Sequence, residues 1–358
     1  MVRRVSQTLN QFNNGSILQR LVISITVLVI CLFITVSIAT ASGPVSIRFI
    51  RVLHIIADAF TLNSSQNQTD SLIVLQLRIP RIIIAGLVGM ALSVAGATMQ
   101  SLFRNPMADP GIIGVSAGGA VGAVIAIALG LNEIFFLALP FFSFLGAIGA
   151  TFLVYSIAAA GGRFSMPTLL LAGVAVTAFL NSIISAAILV VPDNDPVRKI
   201  LFWLAGGLDS RAWEHVAISW IPILIGITLI FGFTRELNML MIGDNDARSL
   251  GLRVNYIRPF LIAVSALITG TAVAVSGTII FVGLIVPHVL RLIVGTDNRV
   301  LVPTSAIGGA IFLIAADTIA RTIVQPAEIR VGIITSFIGA PFFLFLLIRN
   351  NRGTETFS

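Results

Sequence analysis

Long apolar runs, each free of Asp, Glu, Lys and Arg, divide the chain from end to end. They cover residues 21–47, 82–103, 110–132, 134–162, 164–192, 215–234, 259–290, 300–316 and 331–348. A membrane-spanning helix needs about 20 apolar residues, so most of these runs predict one span each. The run 259–290 is too long for one upright helix, and Gly277 with Pro287 predicts a break within it. The pattern therefore predicts an all-α polytopic membrane protein with about ten transmembrane helices.

The predicted number of transmembrane helices is even, which bears on the location of the two polar ends of the chain. Both termini then lie on one side, and a modest excess of basic residues agrees with a cytoplasmic location of that side under the positive-inside rule. We expect cytoplasmic tails at residues 1–20 and 350–358, around a single transmembrane domain at 21–349. Alternatively, residues 1–41 form a cleaved signal peptide ending near Ala39-Thr40-Ala41. The apolar run is longer than the usual stretch of about 7–15 residues, which favours a retained helix.

Two polar segments between spans have a predicted form. Residues 45–71 are expected outside the membrane, as an interfacial helix followed by a loop at 61–71. Residues 235–258 are the longest charged stretch and are expected in the cytoplasm. The interfacial helix is predicted from four polar residues that share one helical face: Arg48, Arg51, His54 and Asp58.

Composition agrees with the membrane class. The 358 residues are 57% hydrophobic and only 10% charged, with a mean hydropathy of +1.02. A soluble domain of this length needs a more charged surface. The net charge of +7 comes from scattered basic residues, so no nucleic-acid partner is predicted. Cys31 is the only cysteine, which excludes an intrachain disulfide and a thiolate metal cluster.

The sequence predicts no catalytic site, no metal site and no bound cofactor. Its histidines, His54, His215 and His288, are far apart, and Lys199 lacks the glycine pattern of a nucleotide-binding loop. An ATP-driven process would therefore need ATP and Mg²⁺ on another chain. A secondary transporter would need an ion site within the membrane, and the charge-free spans argue against one. A membrane-embedded enzyme would need a buried catalytic set, of which His288 near Arg291 is the only trace.

The linker from Arg104 to Gly111 joins two spans and contains Asn105-Pro106. Its prolines stop one helix and start the next. Beyond it, Gly114, Gly118 and Gly122 recur at steps of four, which predicts close helix packing. The same stripe could also border a pathway.

Arginines mark the outer side of the predicted topology. Arg78-Ile79-Pro80-Arg81 precedes the second span, and Arg321 and Arg330 also fall outside. They are either interfacial anchors or docking sites for acidic residues of an external partner.

The stretch from Gly243 to Leu252 predicts a short helix in the longest inner loop. Asp244 is expected to cap it and Gly251 to end it. It is either a solvated connector or a lever seated on a cytoplasmic subunit.

In these motifs the chain resembles the permease family of type II ABC importers, which take up iron-siderophores, haem and cobalamin. The matches run in family order from about residue 70 to the C-terminus. They are Arg78–Arg81, Gln100–Gly119, Leu169–Ala175, Phe202–Gly207, Gly243–Gly251, Gly283–Arg291 and Gly339–Pro341.

The resemblance implies an assembly in the bacterial cytoplasmic (inner) membrane. A second permease subunit, identical or paralogous, would complete a dimer with the pathway at its axis. Two cytoplasmic ATPase subunits would bind ATP and Mg²⁺, and an external substrate-binding protein would deliver the cargo. The expected cargo is a ferric siderophore, with haem and then cobalamin as alternatives.

The resemblance also implies roles for particular residues. Arg78, Arg81 and Arg321 match the outer arginines that meet the binding protein. The turn Phe164-Ser165-Met166-Pro167 falls at the cytoplasmic gate, with Ser165, Met166 and Pro167 as its gate residues, although Met166 and Pro167 depart from the small polar residues usual there. The helix that couples to the ATPase matches Gly243, Asp244, Asp246, Ala247, Arg248, Ser249, Leu250 and Gly251.

Overall fold

The computed structural model describes residues 16–43, 45, 47–61, 68–160, 165–325 and 327–354. These residues form α-helices joined by short turns, one of them 3-10 helical (Pro110–Ile113). The helices are α1 (Ile17–Ala41), α2 (Phe49–Thr61), α3 (Gln68–Leu72), α4 (Ile79–Leu102), α5 (Val115–Ala128), α6 (Leu131–Ile134), α7 (Ala138–Ala159), α8 (Met166–Val190), α9 (Asn194–Leu204), α10 (Trp213–Gly232), α11 (Thr234–Ile242), α12 (Asp244–Ser249), α13 (Val254–Ser276), α14 (Val282–Val294), α15 (Asn298–Ala320) and α16 (Val331–Thr354).

The helices confirm the predicted polytopic fold. Seven helical segments among the described residues are long and apolar enough to cross a membrane, and α5, α14 and α16 supply shorter apolar helices. The predicted break in the run 259–290 is confirmed as well, because α13 ends at Ser276 and α14 begins at Val282. Gly277 has φ +70° in the break, and any side chain there would meet the backbone of Trp203.

Several predicted boundaries need correction. The segment 61–71 is not wholly a loop, since α3 begins at Gln68 and continues through a π-helical turn, Ile73–Arg78, into α4. Residues 62–67 of that loop lie outside the described residues. The first span begins at Ile17, where Ser16 and Gln19 form a capping box. The last helix continues to Thr354, so the predicted tail at 350–358 is helical at its start.

The helix predicted in this segment is present as α2, while its location at the membrane interface stays a prediction. It buries Val52 and Ile55 against Val74 of the π-helical turn, while Ile50 and Leu53 remain exposed. Arg51 pairs with Asp70 at 2.6 Å, which ties this helix to α3. Both contacts hold α2 against the start of the second span.

Three helices, α4, α13 and α15, form the core of the bundle. Helix backbones approach α4 closely where glycines face each other: a Cβ on Gly89 would overlap the carbonyl group of Gly309 in α15, and one on Gly96 that of Gly283 in α14. Close approach through small residues is the usual packing mode of membrane helices. By contrast, only 17% of the most apolar window of α8 is buried in this chain. The core is thus a rigid frame, and α8 lies at its periphery.

Candidate functional site

The residues predicted to couple the protein to a motor form a short helix with a defined start and end. Gly243, with φ +141°, precedes α12. At the far end Gly251 has φ +86°, and the amide of Leu252 donates to the carbonyl of Ala247 at 2.9 Å, as in a glycine C-cap. Ala247 is fully buried, whereas Asp246 is exposed. One side of α12 is therefore fixed to the protein and the other is free.

Asp244 does not cap this helix, contrary to the sequence-based prediction. Gly243 occupies the cap position, and Asp244 is the first helical residue. Its carboxylate accepts two hydrogen bonds from Arg258 of α13, at 2.7 and 2.5 Å, and one from Arg104 of the linker at 2.8 Å. The bonds from Arg258 are the main reason that the pKa of the Asp244 carboxyl lies below its usual range. One carboxylate thus joins α12 to two other parts of the bundle.

A layer of buried, hydrogen-bonded polar side chains lies beside the predicted coupling segment, Gly243–Gly251. Asn298, fully buried at the start of α15, accepts a hydrogen bond from Ser101 and donates one to Asn238, both at 2.9 Å. Asn238 also donates to Asp297 at 2.8 Å. Hydrogen bonds from Arg299 are the largest cause that lowers the pKa of Asp297 to about 2. This layer of hydrogen bonds joins α11 to the core helices α4 and α15.

An exposed surface surrounds α12. Three large apolar side chains, Ile242, Leu250 and Tyr256, are 62%, 60% and 76% exposed. Arg248 and Arg253 are exposed beside them. Arg248 donates only to Asn255, at 3.1 Å, among the described residues. Apolar side chains clustered within a charged surface are typical of a protein interface.

The opposite end of the bundle, here called the arginine end, contains Arg78, Arg81, Arg211, Arg321 and Arg330. Arg78, the last residue of the π-helical turn, is buried, and its guanidinium group donates to the carbonyls of Thr40, at 2.6 Å, and Val45. Arg321 donates to the carbonyl of Ala39. Two cations therefore stabilise the C-terminal end of α1, where the helix dipole is negative.

Arg81 is also engaged within the chain. It donates to both oxygens of Asp317 at 2.8–3.1 Å and to Glu328 at 2.8 Å. Arg330 pairs with Asp209. The three arginines predicted to dock a partner, Arg78, Arg81 and Arg321, are thus brought together, but as internal partners of α1 and α15. Their docking role stays a prediction.

The predicted glycine stripe divides into two kinds of position. Gly114 is not part of the helix: it precedes α5 with φ +79° and serves the turn. Gly118 and Gly122 pack α5 against α7, because a Cβ on either would overlap the carbonyl of Gly146 or Phe142. Among the described residues these contacts account for the stripe as helix packing.

The other predicted site residues lie on the same end as α12. Asn105 and Pro106 are exposed, and the Asn105 side chain accepts a hydrogen bond from the amide of Met107 at 2.9 Å. Ser165 and Met166 are half-buried where α8 starts, and Pro167 is exposed. Phe164, the first residue of the predicted gate turn, lies outside the described residues. The gate stays a prediction.

Sequence reasoning missed a polar stripe on α8. Thr177, Asn181 and Ser185 recur at steps of four within an apolar helix, and the last two are exposed. Thr177 and Asn181 line a cavity of about 550 Å³ together with Asp109 and Thr269. The burial of Asp109 raises the pKa of its carboxyl group. Exposed polar groups are unfavourable against lipid, so this face of α8 is suited to water or to another subunit. The recurrence of these polar residues at steps of four within the apolar run 164–192 could have revealed the stripe.

In the part of the chain that the structure describes, no group of three or more His, Cys, Asp or Glu side chains is placed to hold a metal ion.

Comparison with known proteins gives consistent results. Residues 27–349 match the FecCD transport family. The chain is 45% identical over 292 residues to the cobalamin import system permease protein BtuC of Halobacterium salinarum, covering 82% of this chain and 78% of that protein. It is 39% identical over 295 residues to the hemin transport system permease protein HmuU of Yersinia pestis, covering 81% and 87%. A solved structure, described as an inward-facing conformation of a metal-chelate type ABC transporter, superposes with a TM-score of 0.78 at 29% identity, covering 90% of this chain and 97% of that one.

Proposed function

This chain belongs to the FecCD transport family, and on that premise we propose that it is the membrane-spanning permease subunit of an ATP-binding-cassette importer for metal chelates. The proposal rests on the structure of the coupling segment, Gly243–Gly251. A short helix, α12, is bonded through Asp244 to the core helix α13, and the exposed apolar side chains of Ile242 and Leu250 lie at its two ends. Such a surface is suited to receive a rigid-body movement from a partner and pass it to the bundle.

The partner subunits are proposed from the functional groups that this chain contains and from those that it lacks. No nucleotide-binding loop is present in the sequence, so hydrolysis belongs to a pair of separate ATPase subunits, which hold ATP and Mg²⁺. A substrate-binding protein delivers the cargo at the arginine end. A second permease subunit faces the polar stripe of α8, and the pathway runs between the two, closed near Ser165, Met166 and Pro167. In this proposed arrangement the protein lies in the inner membrane of a bacterial cell. Both termini and α12 then lie in the cytoplasm.

The cargo class is a metal ion enclosed in a bulky organic ligand. Ferric siderophore is the cargo that we propose first, as the family resemblance implies. Cobalamin is the second candidate, because a relative named for cobalamin import is 45% identical to this chain. Haem is the third, favoured by the relative named for hemin transport.

A site-directed crosslink tests the orientation and the motor contact. In a Cys31→Ser background, a photocrosslinker attached at Leu250→Cys is expected to join this chain to the ATPase in the intact complex. Leu250 is 60% exposed beside α12, so the probe reaches the partner without displacing core side chains. The control is Glu133→Cys, which is exposed at the opposite end in α6. An ATPase adduct at residue 133 instead of residue 250 would overturn the proposal.

Transport in proteoliposomes tests the cargo. The permease, its ATPase and the binding protein are reconstituted, and uptake of labelled ferric siderophore, haem and cobalamin is measured with and without enclosed ATP. Accumulation of one chelate is expected to require ATP and to be unaffected by collapse of the proton gradient. Uptake that followed an ion gradient without ATP would instead establish a secondary transporter. Accumulation of cobalamin or haem alone would replace the siderophore assignment but keep the importer.

A further inference from the structure

A polar cavity lies inside the bundle, between α5, α8, α13 and the start of α14. It has a volume of about 550 Å³. The polar side chains in its wall are Asp109, Ser116, Thr177, Asn181 and Thr269. The other described residues that line the cavity are apolar or glycine, and none of them is basic. The cavity therefore combines one acidic group with several neutral oxygen atoms.

Asp109 reaches this cavity because the linker between α4 and α5 folds back into the bundle. A Cβ placed on Gly283 would lie 3.3 Å from Oδ2 of Asp109 and 2.7 Å from the carbonyl oxygen of Leu92. Leu92 is buried near the middle of α4, which is long and apolar enough to cross a membrane. The carboxyl group thus lies at the depth of the middle of a span. Non-helical backbone at such a depth is tolerated where it is buried in protein or lines a water-filled cavity.

One oxygen of the Asp109 carboxylate has a structural partner and the other has none. Oδ1 accepts a hydrogen bond from the amide of Gly111 at 2.8 Å, which caps the 3-10 helix. In the described part of the chain Oδ2 accepts no hydrogen bond, and no basic side chain pairs with the carboxylate. Thr269 is 1% exposed, and its hydroxyl group also has no hydrogen-bond partner there. Buried polar groups are normally paired, and a charge within the membrane nearly always is.

Further oxygen atoms lie close to this carboxylate. The position of a Cβ on Gly111 is 2.9 Å from Oδ1 of Asp109 and 3.6 Å from Oγ of Ser116, so both oxygens border the same space. A Cβ on Gly114 would lie 3.8 Å from Oγ1 of Thr177. Side chains of the linker, α5 and α8 therefore converge on one part of the cavity.

We propose that this cavity binds one monovalent metal cation, Na⁺ or K⁺, with Asp109 as its charged ligand. The neutral ligands are oxygens of Ser116, Thr177, Asn181 and Thr269, together with water. Hard cations take oxygen ligands of these types. A calcium site usually gains its affinity from several carboxylates, whereas this cavity has one, which favours a cation of single charge. The volume exceeds that of a bare ion, so the ion keeps part of its hydration shell.

The proposed cation is a resident counter-ion and supplies no energy for uptake. It neutralises a carboxylate that the protein holds away from bulk water, where an unpaired charge is costly. The apolar spans give no sign of such a site in the sequence, because Asp109 belongs to the linker between two of them. The inference concerns this subunit alone and does not depend on the proposed importer function.

Binding of radioactive sodium to the purified permease–ATPase complex tests the site, measured by scintillation proximity with unlabelled NaCl and KCl as competitors. Saturable binding of one ion per permease chain is expected for the wild type. Asp109→Asn is expected to weaken the binding at least about tenfold, a step of about 1.4 kcal/mol, because it removes the charge. Asparagine keeps an acceptor oxygen for the amide of Gly111, so the cap is retained. The control is Asp193→Asn, an exposed carboxylate that makes no capping hydrogen bond at the start of α9; it should bind sodium as the wild type does.

A second variant keeps the test decisive if Asp109→Asn does not fold. Thr177→Val preserves the shape of the side chain but removes one ligand oxygen, and it is expected to weaken the binding about two- to tenfold. Absence of saturable binding, or equal binding by Asp109→Asn and Asp193→Asn, overturns the inference. Displacement by Ca²⁺ at concentrations far below those of Na⁺ and K⁺ overturns the assignment of a monovalent cation.

Uptake in proteoliposomes separates this inference from the proposed function. ATP-driven uptake of the chelate is expected to be the same with an inward and with an outward Na⁺ gradient. Uptake that followed the gradient would identify a transported ion and would overturn the resident cation and the importer together. Failure to bind sodium, with ATP-driven uptake intact, would overturn the cation site alone.

Discussion

Replacement of Asp244 by asparagine is expected to leave the complex assembled but to lower the uptake obtained per ATP hydrolysed by about tenfold, within the roughly 5–150-fold that coupling between two sites usually represents. The reason lies in the geometry of one carboxylate. Asp244 bonds the buried Arg258 of α13 and the exposed Arg104 of the linker. Asparagine keeps the size of the side chain but presents one acceptor oxygen and no charge. The coupling helix then loses its charged connection to the core while its outer surface stays intact.

The measurement compares ATP hydrolysis and chelate uptake in the same proteoliposomes. Hydrolysis should continue, because the exposed side chains that we propose to contact the ATPase are unchanged. Asn245→Ala is the matched control: it lies in the same helix and is exposed, and the described structure gives its side chain no hydrogen bond. A variant Asp244→Asn whose ratio of uptake to hydrolysis equals that of Asn245→Ala would show that the carboxylate transmits no movement.

The sequence alone does not rank Asp244 above Asp246 or Arg248, because all three are charged residues of the predicted coupling helix. In the structure Asp246 is exposed, and Arg248 has one hydrogen bond, to Asn255. Their replacement should weaken contact with the ATPase more than transmission within the bundle. The stronger internal contact belongs to Asp244.

Local patterns predicted the fold well because lipid imposes a simple rule. A span must be apolar over about 20 residues, so charge-free runs reveal the helices directly. The break at Gly277 and the end of α12 at Gly251 were predictable for a similar reason, since both need a backbone conformation that favours glycine. The polar stretch before α4 has no such signal. Its residues from Gln68 onward are helical because Arg51 and the end of α1 hold them there.

The polar contacts inside the candidate site could not be predicted from local sequence patterns. Ser101 and Asn298 are 197 residues apart in the chain and yet share a hydrogen bond, and Arg81 and Asp317 are 236 apart. An arginine beside a span reads as an exposed anchor or docking group until its partner is known. The structure supplies that partner: Arg81 pairs with Asp317 and Glu328. Long-range polar contacts of this kind depend on the packing of helices, which no single segment specifies.

Gly146→Ala is expected to lower the unfolding temperature of the protein by several degrees, whereas Gly149→Ala should leave it unchanged or raise it. Both glycines lie in the middle of α7, three positions apart. A methyl group at Gly146 would overlap the carbonyl of Gly118 in α5, and the reverse holds for Gly118. At Gly149 nothing lies within 4 Å of a new Cβ.

The opposite signs follow from the balance of two effects. Alanine in a helix gains about 0.5–1 kcal/mol over glycine through backbone entropy, and this gain applies at both positions. Overpacking costs typically about 1–3 kcal/mol, and more where the obstacle is main chain that cannot rotate away. At Gly146 the cost exceeds the gain, because α5 and α7 must separate to admit the methyl group. Thermal unfolding of both variants in detergent, each reconstituted for uptake afterwards, checks the prediction. Equal unfolding temperatures would mean that α5 and α7 do not pack through this glycine pair in the folded protein.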